Sequence, residues 1–387
     1  GMMNHLSKPV MFTSITTSIG FASLAMVDIP PVRIFGLFVA FGVMSAWLLT
    51  ITFVPALIMM VRNLPQSEME AYEAEEKKTL LNEMLGAFGR AASRRSMWVL
   101  TGALALTLFG IAGIYRLEVN DNPVKWFKKS SPIRQANEIL NDKFGGTYLA
   151  YIEADAGEKD GIKDPANLKY IQALQEHLEE SPLVGKTTSL ADVVRRVHRV
   201  IIDDKPASEI IPDDKLMVGE LIFAFQSSGA GPDILDNLTD SNFSAANIWL
   251  QMNSGDNKDM EQVVKAVEAY FKDNPPPQSM THQWAGLTYI NTVWQNKMVF
   301  GMLQSFLGSF LVVFIMMSLL FRSPLWGLLC MVPLTITIAA IYGAIGIVGK
   351  DYDMPVAVLS ALTLGMAVDF AIHFLQRSRA THAQYGN

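Results

Sequence analysis

Charge and sulfur are both scarce in this chain. Only 18% of its 387 residues are Asp, Glu, Lys or Arg, and its single cysteine, Cys330, sits inside an apolar run. One thiol allows no disulfide framework and no thiolate metal site. An excess of positive charge is missing too: the formal net charge is −6, whereas a nucleic-acid binder needs a basic face to neutralise phosphates. What the chain has in quantity is apolar surface, with 50% hydrophobic residues and a mean hydropathy of +0.24. That is too apolar for an ordinary soluble enzyme of this length and points to a membrane protein.

Catalytic signatures are also missing from the sequence. "GAIGIVGKD" (343–351) resembles a phosphate loop, but its glycine spacing is wrong and Asp351 stands where Ser or Thr would ligate magnesium. Its Gly343, Gly346 and Gly349 read better as a close-packing ridge at the end of a membrane span. There is no G-x-S-x-G elbow and no H-E-x-x-H. An intramembrane aspartyl protease would need two carboxylates in its spans, and this chain offers one. The expectation is therefore a protein that is not an enzyme and needs no cofactor.

A bilayer core of ~30 Å takes about 20 apolar helical residues. Six runs qualify: Pro9 to Val27, Phe35 to Val61, Met97 to Tyr115, Met298 to Phe321, Pro324 to Gly349, and Met354 to Phe374. The first carries Thr13, Ser14, Thr16, Thr17, Ser18 and Ser23, hydroxyls that can bond their own backbone or cross to a neighbouring helix, with Thr16 and Thr17 as candidate polar contacts. It could also be read as a signal peptide, with Lys8 as basic flank and Ser23 and Ala25 as cleavage site. A second run after the short "DIPPVR" favours a helical hairpin instead. Arg62, Lys77, Lys78, Arg90, Arg94, Arg95, Arg322, Arg377 and Arg379 all fall on one side of a six-span topology together with Lys8, and that side is the expected cytoplasm. Between the second and third spans, the second half of "SEMEAYEAEEKKTLLNEMLGAFGRAASRRS" reads as an amphipathic helix along the cytoplasmic interface, or as a plain solvated linker.

The long segment between the third and fourth spans is patterned as a globular domain. "TYLAYIEAD" and "AANIWLQMN" alternate like strands, and "HQWAGLTYI" is strand-like. "DPANLKYIQALQEHLEE" has helix signals with Asp164 as cap and Pro165 in the first turn, and "NKDMEQVVKAVEAYFKDN" is an amphipathic helix ended by "PPP". The repeated strand, helix, strand order predicts an α+β, ferredoxin-like split βαβ domain. Asn237 and Asn242 begin glycosylation sequons in form only. Trp249, Trp284, Tyr289 and Trp294 are candidates for lining a hydrophobic tunnel, although such aromatics are more often core.

One residue breaks the apolar pattern. "ALTLGMAVDFAIHF" (361–374) places Asp369 in the sixth span, where an ionised carboxylate must be paired, hydrated or protonated. Gly365, Asp369 and His373 recur at intervals of four and so share one helix face. A group that takes up and releases a proton is what a relay needs, and Asp369 with His373 are the candidates. The alternative is a carboxylate that only bonds a facing helix or lies near enough to the interface to be hydrated.

These residues resemble a known family. "GMAVDFAIHF" is similar to the tenth-helix motif of the resistance-nodulation-division (RND) transporters, in the hydrophobe/amphiphile efflux and mycobacterial-membrane-protein-large (MMPL) branch, akin to hopanoid transporters. "KPVMFTSITTSIGFASLAMVDIPPVRIFGLFVAFGVMSAWLLTITFVPALIMM" resembles that family's fifth and sixth helices. "PDDKLMVGELIFAFQSSGAGPDILDNLTDSNFSAANIWLQM" resembles its second porter domain. The resemblance implies helices five and six over 1–62, a cytoplasmic amphipathic linker over 63–96, and helix seven over 97–115. It further implies a periplasmic porter domain over 116–296 and helices eight to ten over 297–387.

It also implies a proton-motive-force-driven exporter of lipids or other hydrophobic molecules in a bacterial inner membrane, with Asp369 at the relay and Gly365 and Phe370 packing beside it. Phe370 departs from the tyrosine common in the mycobacterial branch, so a direct bond from that neighbour is not expected. A complete member has twelve spans, and this chain matches helices five to ten, so it is expected to be a fragment lacking the fourth helix and its acidic motif. The expected partners are a hydrophobic or lipid substrate, membrane lipids, the missing half of the same protein and a further copy in a homo-oligomer, with no nucleic acid. A sterol-sensing-like lipid sensor and a proton-driven accessory factor for protein secretion share this membrane core and are the alternatives.

Overall fold

The computed structural model describes residues 2–60, 80–229, 231–277, 280–357, 370, 374–375 and 378. In chain order, helices α1 (Met2–Ala22), α2 (Pro30–Met60), α3 (Leu80–Arg94), α4 (Ser96–Ile114) and α5 (Pro132–Lys143) precede β1 (Tyr148–Asp155). Then come α6 (Pro165–Glu179), β2 (Val184–Thr188), α7 (Leu190–Ile202), α8 (Lys215–Gln226), α9 (Gly231–Leu238) and β3 (Ala245–Met252). The remaining elements are α10 (Asn257–Asp273), β4 (Thr281–Ala285), α11 (Leu287–Phe321) and α12 (Pro324–Val348). The chain forms two compact units, Gly1–Val119 with Lys297–Asn387, and Asn120–Asn296.

The first unit is helical. Among the described residues four helices, α2, α4, α11 and α12, are long and apolar enough to cross a membrane. Helix α4, at 19 residues, is roughly 28 Å long at 1.5 Å per residue, close to a bilayer core. Exposed Trp98 and Tyr115 lie near its two ends, where aromatic side chains favour the membrane interface. Phe38, Phe41 and Phe53 on α2 are also exposed, as expected where lipid is the solvent.

The first and fourth expected spans differ from what is observed, and most of the sixth lies outside the described residues. The run from Pro9 to Val27 is not α-helical throughout: α1 ends at Ala22 and the chain tightens into a 3-10 turn over Ser23–Met26. The fourth span begins earlier than Met298, because α11 starts at Leu287, immediately after β4 ends at Ala285 and Gly286 takes φ +95. Apolar periodicity reports only the part of such a helix that faces lipid; the polar first turns, with Thr288, Thr292 and Gln295 buried, continue it because nothing breaks it. Of the sixth, residues 354–357 are helical and most of the remainder lies outside the described residues.

Glycines decide how α4 meets α12. A Cβ added at Gly110 or Gly113 would overlap backbone atoms of Ala339 or Gly343, and one added at Gly343 or Gly346 would overlap backbone of Gly110 or Gly113. The two helices therefore touch backbone to backbone, the route by which small residues gain van der Waals contact where lipid offers no hydrophobic drive. The ridge expected at Gly343 and Gly346 is present, but Gly349 is not part of it. At φ +72 it is the left-handed C-cap of α12, with open space around its Cα. On the other side of the unit, Ser18 Oγ donates to the Ala40 carbonyl at 3.1 Å, joining α1 to α2.

The second unit is built on a four-stranded sheet in the order β2-β3-β1-β4, with every neighbouring pair antiparallel. Strands β1 and β2 are parallel but separated by β3, and β3 and β4 are parallel but separated by β1. This is the split βαβ arrangement. Alternation supplies the reason: Ala150, Ile152 and Ala154 of β1, and Ala246, Ile248, Leu250 and Met252 of β3, are buried on one face. Against them pack Leu168, Ile171, Leu174 and Leu178 of α6 and Met260, Val263 and Val267 of α10. Asp164 caps α6 as expected, accepting from the Ala166 N–H at 2.9 Å, and Pro165 follows in the first turn. Helices α7, α8 and α9 lengthen the connection from β2 to β3.

Replacing Gly113 by leucine should separate α4 from α12 and cost about 1–3 kcal/mol, lowering the thermal midpoint in detergent micelles. Gly102→Ala, on the same helix with open space beside it, should leave the midpoint unchanged or raise it slightly. Equal midpoints for the two variants would show that the glycine contact is not what holds the pair.

Candidate functional site

A cavity of about 300 Å³ lies within the helical unit. The middle of α11 supplies Val299, Met302, Leu303, Ser305, Phe306 and Ser309, α12 supplies Ile338 and Tyr342, and the end of α4 supplies Ile114. Ser23, Leu117, Val119, Tyr352 and Ala357 complete the lining. Each wall follows from local sequence. Gly301, Ser305 and Gly308 make a small-residue face on α11, and a Cβ at Gly301 or Gly308 would come against Val27 or Met26, so the 3-10 turn lies close over that face. The next helix faces carry Met302, Leu303 and Phe306 into the cavity.

Polar groups at the cavity are satisfied by protein. The Ser23 and Ser305 hydroxyls are 2.8 Å apart, Ser23 Oγ also donates to the Gly20 carbonyl at 2.7 Å, and Ser309 Oγ donates to the Phe306 carbonyl at 3.1 Å. The turn after α12 closes one side: Val119 bridges Tyr352, whose N–H donates to the Glu118 carbonyl at 2.8 Å. Tyr352 and Tyr342 pack with ring centroids 5.9 Å apart. Behind them buried Asp353 pairs with Lys350 and caps the following turn through the Val356 N–H at 3.2 Å. The described lining is apolar apart from three serine hydroxyls and two phenols, which suits an acyl chain or other apolar ligand, and the described residues hold no metal-ligating set.

Of the site residues expected from the sequence, those that are described lie elsewhere. Gly365, Asp369 and His373 fall outside the described residues; Phe370 is helical with its ring 79% exposed. Thr16 is fully buried on α1, its hydroxyl donating to the carbonyls of Phe12 and Thr13 at 3.0 and 2.8 Å, and Thr17 is half-buried beside it. The four aromatics do not converge on one space. Trp284 and Tyr289 stack at 5.8 Å on the core face of the sheet, while Trp249 lies on the opposite face, edge-on to Tyr151 and donating from its indole N–H to the Asn237 carbonyl. Trp294 is half-buried on α11. None of the described ones among them lines the chamber. Two sequence signals point to it: Ser23, among the hydroxyls able to cross to a neighbouring helix, meets Ser305, and Ser305 and Ser309 are four apart in an apolar run, a spacing that puts both hydroxyls on one helix face.

A second cluster, in the α+β unit, is polar. Asp256 accepts from Asn122 Nδ2 at 2.9 Å and pairs with Lys125 Nζ at 2.5 Å. Next to it the Asn257 N–H donates to Asn120 Oδ1 at 3.1 Å and Asn257 Nδ2 to Gln295 Oε1 at 2.5 Å. The first and last residues of the unit are thereby tied to the start of α10. Burial alone would push the Asp256 carboxyl up, but hydrogen bonds from Lys125 and Asn122 and the Lys125 charge outweigh it and hold the carboxyl below its ordinary value. The cluster reads as a clasp rather than as a binding site.

Comparison with known proteins adds three findings. The family model described as MMPL family matches residues 1–98 and 130–386. A protein of Methanocaldococcus jannaschii, named as a candidate membrane protein, is 23% identical over 311 residues, covering 77% of this chain and 75% of its own. The crystal structure of SecDF, a translocon-associated membrane protein from Thermus thermophilus, aligns with 99% of this chain at 13% identity and a TM-score of 0.44. This chain spans 39% of that structure's length.

The clasp predicts a pH dependence. The folded-state pKa of Asp256 is depressed, so its stabilisation is complete above the unfolded carboxylate value of about 3.9 and is lost as pH falls through the lower folded value. Asp256→Ala should cost about 1–3 kcal/mol at neutral pH, seen as a lower thermal midpoint in micelles, and this deficit should shrink below about pH 4. A deficit that stays constant down to strong acid would exclude the carboxylate as its source.

Proposed function

This chain belongs to the MMPL family, and from that premise we propose that it is part of a proton-motive-force-driven exporter of lipids or other hydrophobic molecules. The observation that carries the reading is the apolar chamber in a unit whose helices are long and apolar enough to cross a membrane. Its volume of about 300 Å³ is at the lower end of small-ligand pockets, about 300–1,000 Å³. It suits one acyl chain or part of one. Burying roughly eight methylenes there would contribute about 6 kcal/mol against water, although an acyl chain arriving from the bilayer gains far less, so the chamber would select by shape. Such weak retention is what a substrate passing through requires.

The energy source in this reading is proton uptake at Asp369, with His373 one turn on and Gly365 one turn before it on the same helix face. Protonation would change how that span packs against a neighbouring acidic helix of the complete transporter, and that packing change would move the substrate. The α+β unit, Asn120–Asn296, would serve as the porter domain on the outer side of the cytoplasmic membrane. Support for that side comes from the Lys and Arg of the short loops, which gather on the opposite one. The substrate would be lipid-like, with no catalytic conversion.

Two measurements test the reading in the native protein that contains this chain. Asp369→Asn should abolish export of a fluorescent lipid while leaving expression intact, and collapsing the proton gradient should do the same to the unmutated protein; export that survives both would refute proton coupling. Leu303→Trp, at a chamber-lining and half-exposed position, should narrow the chamber and reduce export about tenfold, roughly 1.4 kcal/mol. Leu307→Trp, one turn further on α11, equally exposed but outside the chamber, should not. Equal effects of the two tryptophans would remove the chamber from the route.

A further inference from the structure

Within residues 121–141 several polar side chains are turned inward. Asn122 caps a 3-10 turn over Pro123–Trp126 by accepting from the Val124 N–H at 3.1 Å. The Trp126 indole N–H donates to Asp121 at 2.8 Å, Lys125 is held by Asp256, and Arg134 donates to the Phe127 carbonyl at 3.1 Å. Along α5, Asn137 Nδ2 donates to the Tyr148 hydroxyl at 2.8 Å and Asn141 Nδ2 to the Asn253 carbonyl at 2.5 Å. The helix thus presents amides to its own domain and leaves Ile133 and Leu140 exposed, the reverse of an ordinary surface helix.

What remains on the outside is a specific set. Trp126, Phe127 and Ile133 are exposed at 44%, 48% and 57%. Between them stand Lys128 and Lys129, exposed and with no side-chain ion pair or hydrogen bond among the described residues. Bonds from Asn122, Trp126, Lys125 and Arg134 pin the turn itself, so its rings and the two lysines stay at the surface. In the remainder of the unit, from Gly145 to Asn296, acidic residues outnumber basic ones, so this turn is a basic exception. Trp126 also follows the end of α4 by only twelve residues, a reach of no more than ~43 Å even fully extended.

We infer that the turn carrying Trp126, Phe127, Lys128, Lys129 and Ile133 is a docking surface for the anionic head groups of a lipid bilayer. Aromatic rings favour the interface at head-group depth, and lysines beside them pair with phosphates. Because the rest of the unit is acidic and is repelled by an anionic surface, the same charges would fix which side of the domain meets the membrane. This assignment does not depend on lipid export and would hold for any membrane function of the chain.

An environment-sensitive nitrobenzoxadiazole probe at Ile133→Cys tests it in the whole chain held in lipid nanodiscs; native Cys330 is fully buried and leaves the new thiol as the labelling site. In nanodiscs of phosphatidylcholine with phosphatidylglycerol the probe should be blue-shifted, shielded from iodide and quenched by brominated acyl chains. In phosphatidylcholine alone these effects should weaken. Replacing Lys128 and Lys129 together by glutamine should lower the docked population roughly thirtyfold at about one factor of five per charge. A probe open to iodide in both lipids would overturn the inference. So would a probe that is shielded but unaffected by brominated lipid or by the lysine changes, because protein, from another part of the chain or a second copy, would then cover the turn.

Discussion

The helical unit rests on a contact that only absent side chains permit. Gly110 and Gly113 of α4 meet Ala339, Gly343 and Gly346 of α12 with no Cβ between the backbones, and the turns that leave these two helices are consequently brought together. Val119 can then bridge Tyr352, and the Tyr342 and Tyr352 rings, one on the neighbouring face of α12 and one in the turn beyond it, wall the chamber. Any side chain larger than hydrogen at the crossing would move both walls at once. The chamber is a by-product of close approach: its far side is α11, whose own small residues lie under the Ser23–Met26 turn. In lipid, where burying apolar groups gains little, packing of this kind is what the sequence can use to fix a shape.

The α+β unit is held by the opposite principle. Its core is a conventional apolar layer between sheet and helices, but its ends are secured by amides and one ion pair around Asp256 and Asn257. A cluster of that kind stabilises only when every group has a partner, and its depressed carboxyl is the sign that the charged form is the one the fold selects. Two solvents thus shape two kinds of adhesion within a single chain, backbone contact in the apolar one and charge-assisted hydrogen bonding in the aqueous one.

Much of the fold was legible in the sequence because its elements obey strong periodicities. The strands at 148–155 and 245–252, the helix behind Asp164 and the helix before the proline run follow from alternation, capping and amphipathicity, and even the split strand order followed from repetition. Ends were less legible. Length and hydropathy cannot show that α11 begins eleven residues before its apolar run, nor that the first apolar run tightens into a 3-10 turn at Ser23, because both depend on contacts from distant segments. Gly349 shows the same limit: an i, i+3 series of glycines looks uniform, while only the geometry of a helix end separates a packing glycine from a cap. The chamber was hidden for a related reason. Its lining comes from five separate stretches of chain, and only the Ser23 hydroxyl and the Ser305 and Ser309 spacing announce any part of it. Asp369, by contrast, is evident from sequence alone, because a carboxylate in an apolar span is an anomaly that needs no structure to notice.

Helix α12 contains Pro333 in its interior, which cannot donate to the carbonyl of Leu329 four residues earlier. Its second half is fastened to α4 by the glycines at 343 and 346, whereas its first half has no such fastening to α4. Stiffness therefore varies along one helix, high where two backbones are in register and low where a hydrogen bond is missing. A rod built this way bends at a chosen point, so a force applied near Ser323 would be absorbed at Pro333 before it could disturb the wall formed by Ile338 and Tyr342.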